Sequence, residues 1–286
     1  MEPTIKTDIV IAYSQCPRKA YLLLFRLEDG KPHEYTLISE EQRRKNQERC
    51  TDHLKQIDTD VQPYLLGHLR NGKDVFINAD IKAGRFEAQC DVFTKIAGRS
   101  RFGKYSYEPS ICTSTYSVNK EQKLELSFVA FVLKALQHTA PSAGKIISMD
   151  GKLHNIKLSE HFKFLKPLLE HLSKWTTIES SKPPPIVMNK HCVLCQFNQP
   201  CLAQAVQDDN LSLLNGMTTR VMLKYHKKGI FTVNQLSYLY KPRRKTVNAK
   251  HRPATHQIEL QALAIREKKF ISKKHQSYIE NQLSYF

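Results

Sequence analysis

The chain has 286 residues, with 44 Lys and Arg against 27 Asp and Glu and a formal net charge of +17. That length can bury a sizeable core as one large domain or two. An odd cysteine count of seven with no basic-then-apolar leader in Met1–Thr7 argues against a disulfide-stapled secreted scaffold, and the most apolar stretch, Phe128–Leu136, is broken by Lys134 and too short for a bilayer, so a soluble, cytoplasmic protein without a membrane partner is expected.

In chain order, Ile5–Phe25 reads as helical, with Thr7 or Asp8 as cap and Pro17 marking a turn or a new helix start beside Cys16. Glu40–Ile57 is charged and helical in pattern. From Asp74 to Thr115 the residues Val, Ile, Phe, Tyr and Thr interleave with polar residues and Gly, which is the pattern of strands. Phe86–Ile96 and Lys104–Thr113 are expected as two of them, joined through Gly98–Gly103. Asn119–His138 returns to helix, with Leu124, Phe128, Phe131 or Val132, and Leu136 on one face. His161–Ile178 is another helix, bent or begun near Pro167. Ser180–Pro185 is a stiff linker into the cysteine-rich segment.

Four cysteines have ligand spacing: Cys16 alone, then Cys192-x2-Cys195-x5-Cys201. Iron–sulfur clusters take four thiolates, commonly a short-spaced run plus a distant one. Structural zinc also accepts four thiolates but usually as two close pairs, and His191 could replace one of them. The three-plus-one spacing favours a [4Fe–4S] cluster, with Zn as the alternative. A thioredoxin-like pair at Cys192 and Cys195 is the weaker reading, because the segment follows Pro183–Pro185 rather than a strand. Cys50, Cys90 and Cys112 lack ligand spacing and read as ordinary buried residues.

Beyond Cys201 the chain turns basic: Leu202–Phe286 carries 15 Lys and Arg against 5 Asp and Glu. Concentrated positive charge beside a folded core points to nucleic acid as the partner. Leu211–Met217, Val221–Tyr225 and Lys228–Leu236 read as helix, glycine turn, helix, glycine turn and helix start, which resembles a helix-hairpin-helix DNA-binding element. Its turns at Gly216 and Gly229 would expose backbone N–H groups to a phosphate, and Lys224, Lys227 and Lys228 add charge. The plainer alternative is a short α-hairpin packed on the core. Lys241–Arg252, with Arg243, Arg244 and Lys245, is expected to be a phosphate-contacting segment.

The strand region offers a pair of carboxylates. Directly opposed residues of an antiparallel hairpin keep a constant sum of positions, and Asp91 and Glu108, which sum to 199, pair if the chain folds about Arg99 and Ser100. Opposed Cβ atoms lie about 4.5–5.5 Å apart, so the two acids would repel unless a cation sat between them. Mg²⁺ or Mn²⁺ is the natural occupant. A one-residue slip would separate them, and exposed sheet residues without metal are the alternative.

Taken together, these residues resemble the RecB-like nucleases of the PD-(D/E)XK superfamily that carry an iron–sulfur cluster, a group that includes CRISPR-associated adaptation nucleases and AddB-type subunits. The resemblance covers roughly 5–270 and is most specific at Cys16-Pro17-Arg18-Lys19-Ala20-Tyr21-Leu22 and at Cys192/Cys195/Cys201. It implies an α/β, restriction-endonuclease-like core, a central mixed sheet flanked by helices, over 1–201, followed by a helical helix-hairpin-helix-like unit over 202–286. It implies that Cys16 joins the three later cysteines around a [4Fe–4S] cluster. It implies a Mg²⁺- or Mn²⁺-dependent DNA nuclease in which Asp91 and Glu108 hold the metal, with His53 as a weak further candidate. Gln122 fits the place of the family's Gln-x-x-x-Tyr, although Leu126 stands where Tyr should be. Ser110 stands at the catalytic Lys position, so Lys120 or Lys123 would have to reach the site instead. That departure keeps a second reading open, a catalytically degenerate DNA-binding module. Relatives of this type often continue into a helicase or RNase H-like domain, which makes such a subunit a candidate partner.

Overall fold

The structure, a computed structural model, describes residues 3–27, 30–57, 60–65, 67–177, 182–241 and 257–268. The chain divides into two compact units, Met1–Pro185 and Ile186–Phe286. The division falls at the end of the expected linker rather than after Cys201, so Cys192, Cys195 and Cys201 belong to the second unit. Among the described residues no helix is long and apolar enough to cross a membrane.

The first unit is α/β, built on a mixed sheet of seven strands flanked by helices. Its strands are β1 (Ile5–Lys6), β2 (Val61–Pro63), β3 (Val75–Ala83), β4 (Phe86–Ser100), β5 (Gly103–Cys112), β6 (Ala143–Ile147) and β7 (Leu153–Lys157). They run in the order β2-β3-β4-β5-β6-β7, with β1 added to β4. The β3–β4, β4–β5 and β6–β7 pairs are antiparallel; β1–β4, β2–β3 and β5–β6 are parallel.

Among the described residues five α-helices accompany the sheet: α1 (Thr7–Gln15), α2 (Pro17–Phe25), α3 (Glu34–Ile57), α4 (Lys120–Gln137) and α5 (Leu158–Thr177). The expected helix over Ile5–Phe25 is in fact a short strand and two helices. Extended backbone at Cys16 (φ −160°, ψ 114°) separates α1 from α2, and Pro17 opens α2 where its missing N–H is not needed. The α4 boundaries follow from a capping box in which Asn119 and Gln122 each bond the other's amide. His138 closes α4 in the left-handed conformation (φ 58°). α1, α4 and α5 press Ile9, Val10, Phe128, Val129, Leu165 and Leu172 onto Phe76, Phe93, Tyr107 and Ile111 of the sheet. A smaller cluster of Val75, Ile77 and Val92 takes Cys50 and Leu54 of α3. Of the α3 residues only Asn46 and Thr51 are buried; Asn46 anchors the helix by donating to the Thr113 and Ile147 carbonyls at 2.9 and 3.1 Å.

The second unit is helical, with α6 (Asn198–Gln207), α7 (Thr219–His226), α8 (Val233–Ser237) and α9 (Gln257–Glu267). Leu211, Leu214, Met217, Met222, Val233, Leu236 and Ala262 form its core.

Candidate functional site

Asp91 sits where the sheet forks. β3 holds one edge of β4 from Phe86 to Thr94, so β1 and β5 must share the other edge. β1 pairs there at Phe86 and Glu87, whereas β5 pairs only from Val92 onward. Asp91 falls in the gap and is 6% exposed. Its carboxylate does the work of a strand: Oδ2 accepts the Cys112 amide at 2.5 Å. Arg43, on α3, places Nη2 3.7 Å from that oxygen and 2.6 Å from Oε1 of Glu125 on α4. One guanidinium therefore joins two buried carboxylates and ties the helices on both sides of the fork.

The electrostatics follow from burial. Desolvation pushes the Asp91 carboxyl above its ordinary range, against the pull of Arg43 and the Cys112 amide. Desolvation also disfavours the charge on Arg43, but Glu125 and Asp91 outweigh it and hold the guanidinium charged. Cys112 and Cys50 lie in contact beside this group. The Cys50 hydrogen bond and burial raise the Cys112 thiol, and the Cys112 hydrogen bond lowers that of Cys50.

Glu108 is not part of the site. β4 and β5 pair with a constant sum of 202, so Glu108 lies opposite Thr94 and Ser110 opposite Val92. Glu108 is therefore three residues along the ladder from Asp91, about 10 Å. The physical reason is the turn. Arg99 and Ser100 are strand residues; the chain reverses at Arg101 and Phe102, with Gly103 at φ 127°. Ser100 Oγ fixes this by donating to the Tyr105 carbonyl at 2.5 Å and accepting the Phe102 amide at 3.0 Å. Gly98 is a strand residue too, where a Cβ would meet Ser106 Oγ at 3.2 Å. Continued past its last pair, the same register puts Ile111 opposite Asp91 and Thr113 two residues on.

The other expected catalytic residues are also elsewhere. Both ends of the Gln122 amide are engaged, by the Asn119 amide at 3.0 Å and by Thr115 Oγ1 at 2.8 Å. Lys120 is exposed at the first position of α4, and among the described residues no contact joins it to Asp91. His53 is exposed on α3, ten residues from Arg43 and about 15 Å along the helix axis. A hard divalent ion does not fit this fork. The nearby acid, Glu125, is bonded to Arg43, the Asp91 neighbours Ile111 and Cys112 offer no oxygen side chain, and Arg43 supplies the cation.

The second unit presents the glycine turns. α7 ends in a Schellman closure: Gly229, at φ 76°, donates to His226 O at 2.9 Å and Ile230 to Tyr225 O at 3.0 Å. Thr232 then caps α8 in a capping box with Gln235. The expectation that the Gly229 turn offers amides to phosphate is overturned. Phe231 N and Thr232 N donate to Gln235 Oε1, Val233 N to Asp209 O, and Asn234 N to Asp209 Oδ2, at 2.7, 3.2, 2.9 and 2.8 Å. At the first turn Gly216 has φ 78°, and among the described residues the Thr219 and Arg220 amides at the start of α7 have no protein acceptor. Arg220, Lys224, Lys227 and Lys228 are exposed and make no ion pair among the described residues. Arg243, Arg244 and Lys245 lie outside the described residues.

Cys192 opens a short 3-10 turn; its sulfur accepts the Asn189 amide at 3.3 Å, and its carbonyl the Cys195 amide at 3.0 Å. Cys192, Cys195, Cys201 and Cys16 are all half-buried. Soft thiols, one already accepting an amide hydrogen bond, are the right donor chemistry for an iron–sulfur cluster or zinc. Among the described residues no group of three or more His, Cys, Asp or Glu is gathered closely enough to hold a metal ion.

No family model matches the chain, and no curated protein matches it. Arg43 and Glu125 are the site residues that sequence reasoning missed. Glu125 had a signal: it lies at i to the buried Phe128, Val129 and Val132 at i+3, i+4 and i+7, a charge on the apolar stripe of α4. Arg43 had none, standing among Glu40, Glu41, Arg44 and Lys45 on a charged helix.

Proposed function

We propose that the chain is a DNA-binding protein on a restriction-endonuclease-like, RecB-type core whose cleavage centre is no longer a metal site. The observation that carries this reading is Arg43 lying between Asp91 and Glu125, a fixed cation where a nuclease of this type holds a divalent one. Ile111 and Thr113 support it, since they stand where the register would put the acid and the lysine of a (D/E)-x-K element. Phosphoryl transfer by such a centre needs a metal to activate water and hold the developing charge. Two buried carboxylates, one bonded to an amide and both facing one guanidinium, supply neither.

DNA as the ligand is supported by charge. Between Leu211 and Ile258 there are 10 Lys and Arg and no acidic residue. Phosphate neutralisation with counterion release accounts for a face of that kind. The open amides at the start of α7 beside Arg220 suit one phosphate. Cys16, Cys192, Cys195 and Cys201 are the proposed holders of a [4Fe–4S] cluster, which would serve stability rather than chemistry; anaerobic preparations should be brown and contain iron. Colourless, zinc-loaded protein would replace the cluster by zinc.

The deciding experiment incubates the full chain with labelled single- and double-stranded DNA and Mg²⁺ or Mn²⁺. Salt-sensitive binding without cleavage, unchanged in Asp91→Asn, is expected. Metal-dependent cleavage abolished by Asp91→Ala would restore the nuclease reading.

A further inference from the structure

The turn between α7 and α8 leaves one aromatic side chain without a structural task. Phe231 precedes the Thr232 cap, the position from which an apolar residue ordinarily packs onto the fourth residue of the helix, here Leu236. Here Leu236 is fully buried, whereas Phe231 is 55% exposed. The Phe231 ring instead lies against His226, at the end of α7, with ring centroids 5.1 Å apart and planes inclined by 34°. Tyr238 is also exposed, but the Arg266 guanidinium sits 4.4 Å from its ring centre and occupies that face. Among the described residues Phe231 has no such partner beyond His226.

The surroundings of Phe231 define a ligand. Lys224, Lys227 and Lys228 are exposed on the same helix end, and no acidic side chain occurs in the sequence from Leu211 to Ile258. The backbone there cannot serve an anion, because the amides from Lys227 to Leu236 are bonded within the unit. Asp209 Oδ2 moreover stands at the start of α8. What remains for a ligand is an exposed aromatic ring beside three exposed cations. Duplex DNA offers phosphates but keeps its base faces stacked inside. A single strand offers both, and base–aromatic stacking next to a basic groove is how sequence-tolerant single-strand binding works.

We infer that Phe231, backed by His226, is a stacking platform for an unpaired base of a DNA strand whose phosphates meet Lys224, Lys227 and Lys228. The inference rests on the DNA-binding reading and adds the form of DNA that this turn selects.

The test measures binding of the full chain to a fluorescent oligothymidylate and to a blunt duplex of equal length. Phe231 is exposed, so Phe231→Ala should fold as the wild type does. It should weaken oligothymidylate binding roughly 5- to 150-fold, the range of one lost base stack. Blunt-duplex binding should stay within about twofold, because stacked bases present no free face. Phe231→Tyr should restore single-strand binding and Phe231→Leu should not, which separates stacking from mere apolar contact. A 2-aminopurine placed in the strand should lose fluorescence on binding to the wild type and keep it with Phe231→Ala. Equal losses on both DNA forms, or no loss on either, would overturn the inference while leaving DNA binding intact. Wild-type protein that binds neither form would overturn the DNA reading, and this inference with it. Rescue by Leu would mark the ring as an apolar protein-docking residue and overturn the inference as well.

Discussion

The sheet fork and the α7–α8 turn handle charge in opposite ways. At the fork two buried acids are satisfied by one half-buried cation: Asp91, Glu125 and Arg43 close a network across three elements. At the turn the backbone is satisfied, while Lys224, Lys227 and Lys228 are left in solvent. An ionised carboxylate is costly to bury without a counter-charge, and the fork has found one inside the protein. The surface lysines carry no such requirement, and their charge is open to an outside partner. The fork thus reads as structure and the turn as interface, the reverse of what the nuclease motif leads one to expect.

The largest way to break that contrast is Arg43→Ala. If the fork is structural, removing the guanidinium strands two buried carboxylates and should lower the unfolding free energy by about 3 kcal/mol. The low end of the usual range applies because the Arg43 side chain is 37% exposed. Denaturant unfolding measures it, and adding Asp91→Asn should recover part of the loss. A metal site would behave otherwise: Arg43→Ala would gain Mg²⁺-dependent stability. Asp91→Asn alone reads the same network through pH. The folded-state pKa of Asp91 is raised by burial, so the folded protein holds this proton more tightly than the unfolded chain. Its ionisation is a penalty absent below about pH 4, the unfolded value, and growing as pH rises through the raised folded value. The stability of wild type relative to Asp91→Asn should therefore fall as pH increases from about 4. A difference that rises instead would mean the carboxylate is stabilised in its charged form.

Much of this contrast was legible in the sequence, and the parts that were not have definite causes. α4 could be bounded nearly to the residue because Asn119 and Gln122 carry its cap. The central strands, β3 to β5, could be placed because β-branched and aromatic residues interleave with polar ones, whereas the short β1, β2, β6 and β7 left no such signal. The register could not, because Gly98 and Gly103 look alike in sequence. Only Gly103 takes a positive φ, while Gly98 is there to let Ser106 approach. Three residues of slip were enough to move Glu108 from Asp91 to Thr94. The glycine turns of the second unit were likewise visible, but not the fate of their amides. That depends on Asp209, more than twenty residues upstream of Asn234.

The lysines provide the next effect in size. Replacing Lys224, Lys227 and Lys228 together by Ala should reduce the slope of log affinity against log salt for a single strand by about 2. That amounts to roughly 50-fold in affinity near 0.15 M salt. Arg44→Ala is the internal control: its guanidinium is paired with Glu41 and Glu48 at 2.8 and 2.5 Å, so neither slope nor affinity should change. Equal effects from the two variants would mean that only net charge matters and that the turn is no interface.

The smallest effect separates backbone from side chain within the turn itself. Thr232 Oγ1 accepts the Gln235 amide at 3.1 Å, and Gln235 Oε1 accepts those of Phe231 and Thr232. Thr232→Ala removes one arm of this box and should lower stability by about 1 kcal/mol. Hydrogen exchange should quicken at Gln235 more than at Met222, which lies inside α7 and is held by the Thr218 carbonyl. DNA affinity is the sharper reading. If phosphate is met by lysine side chains alone, freeing the Gln235 amide leaves affinity unchanged once the protein is folded. If the helix start is itself an anion site held shut by its own cap, opening the cap should raise affinity, and the division of labour between backbone and lysines would have to be redrawn.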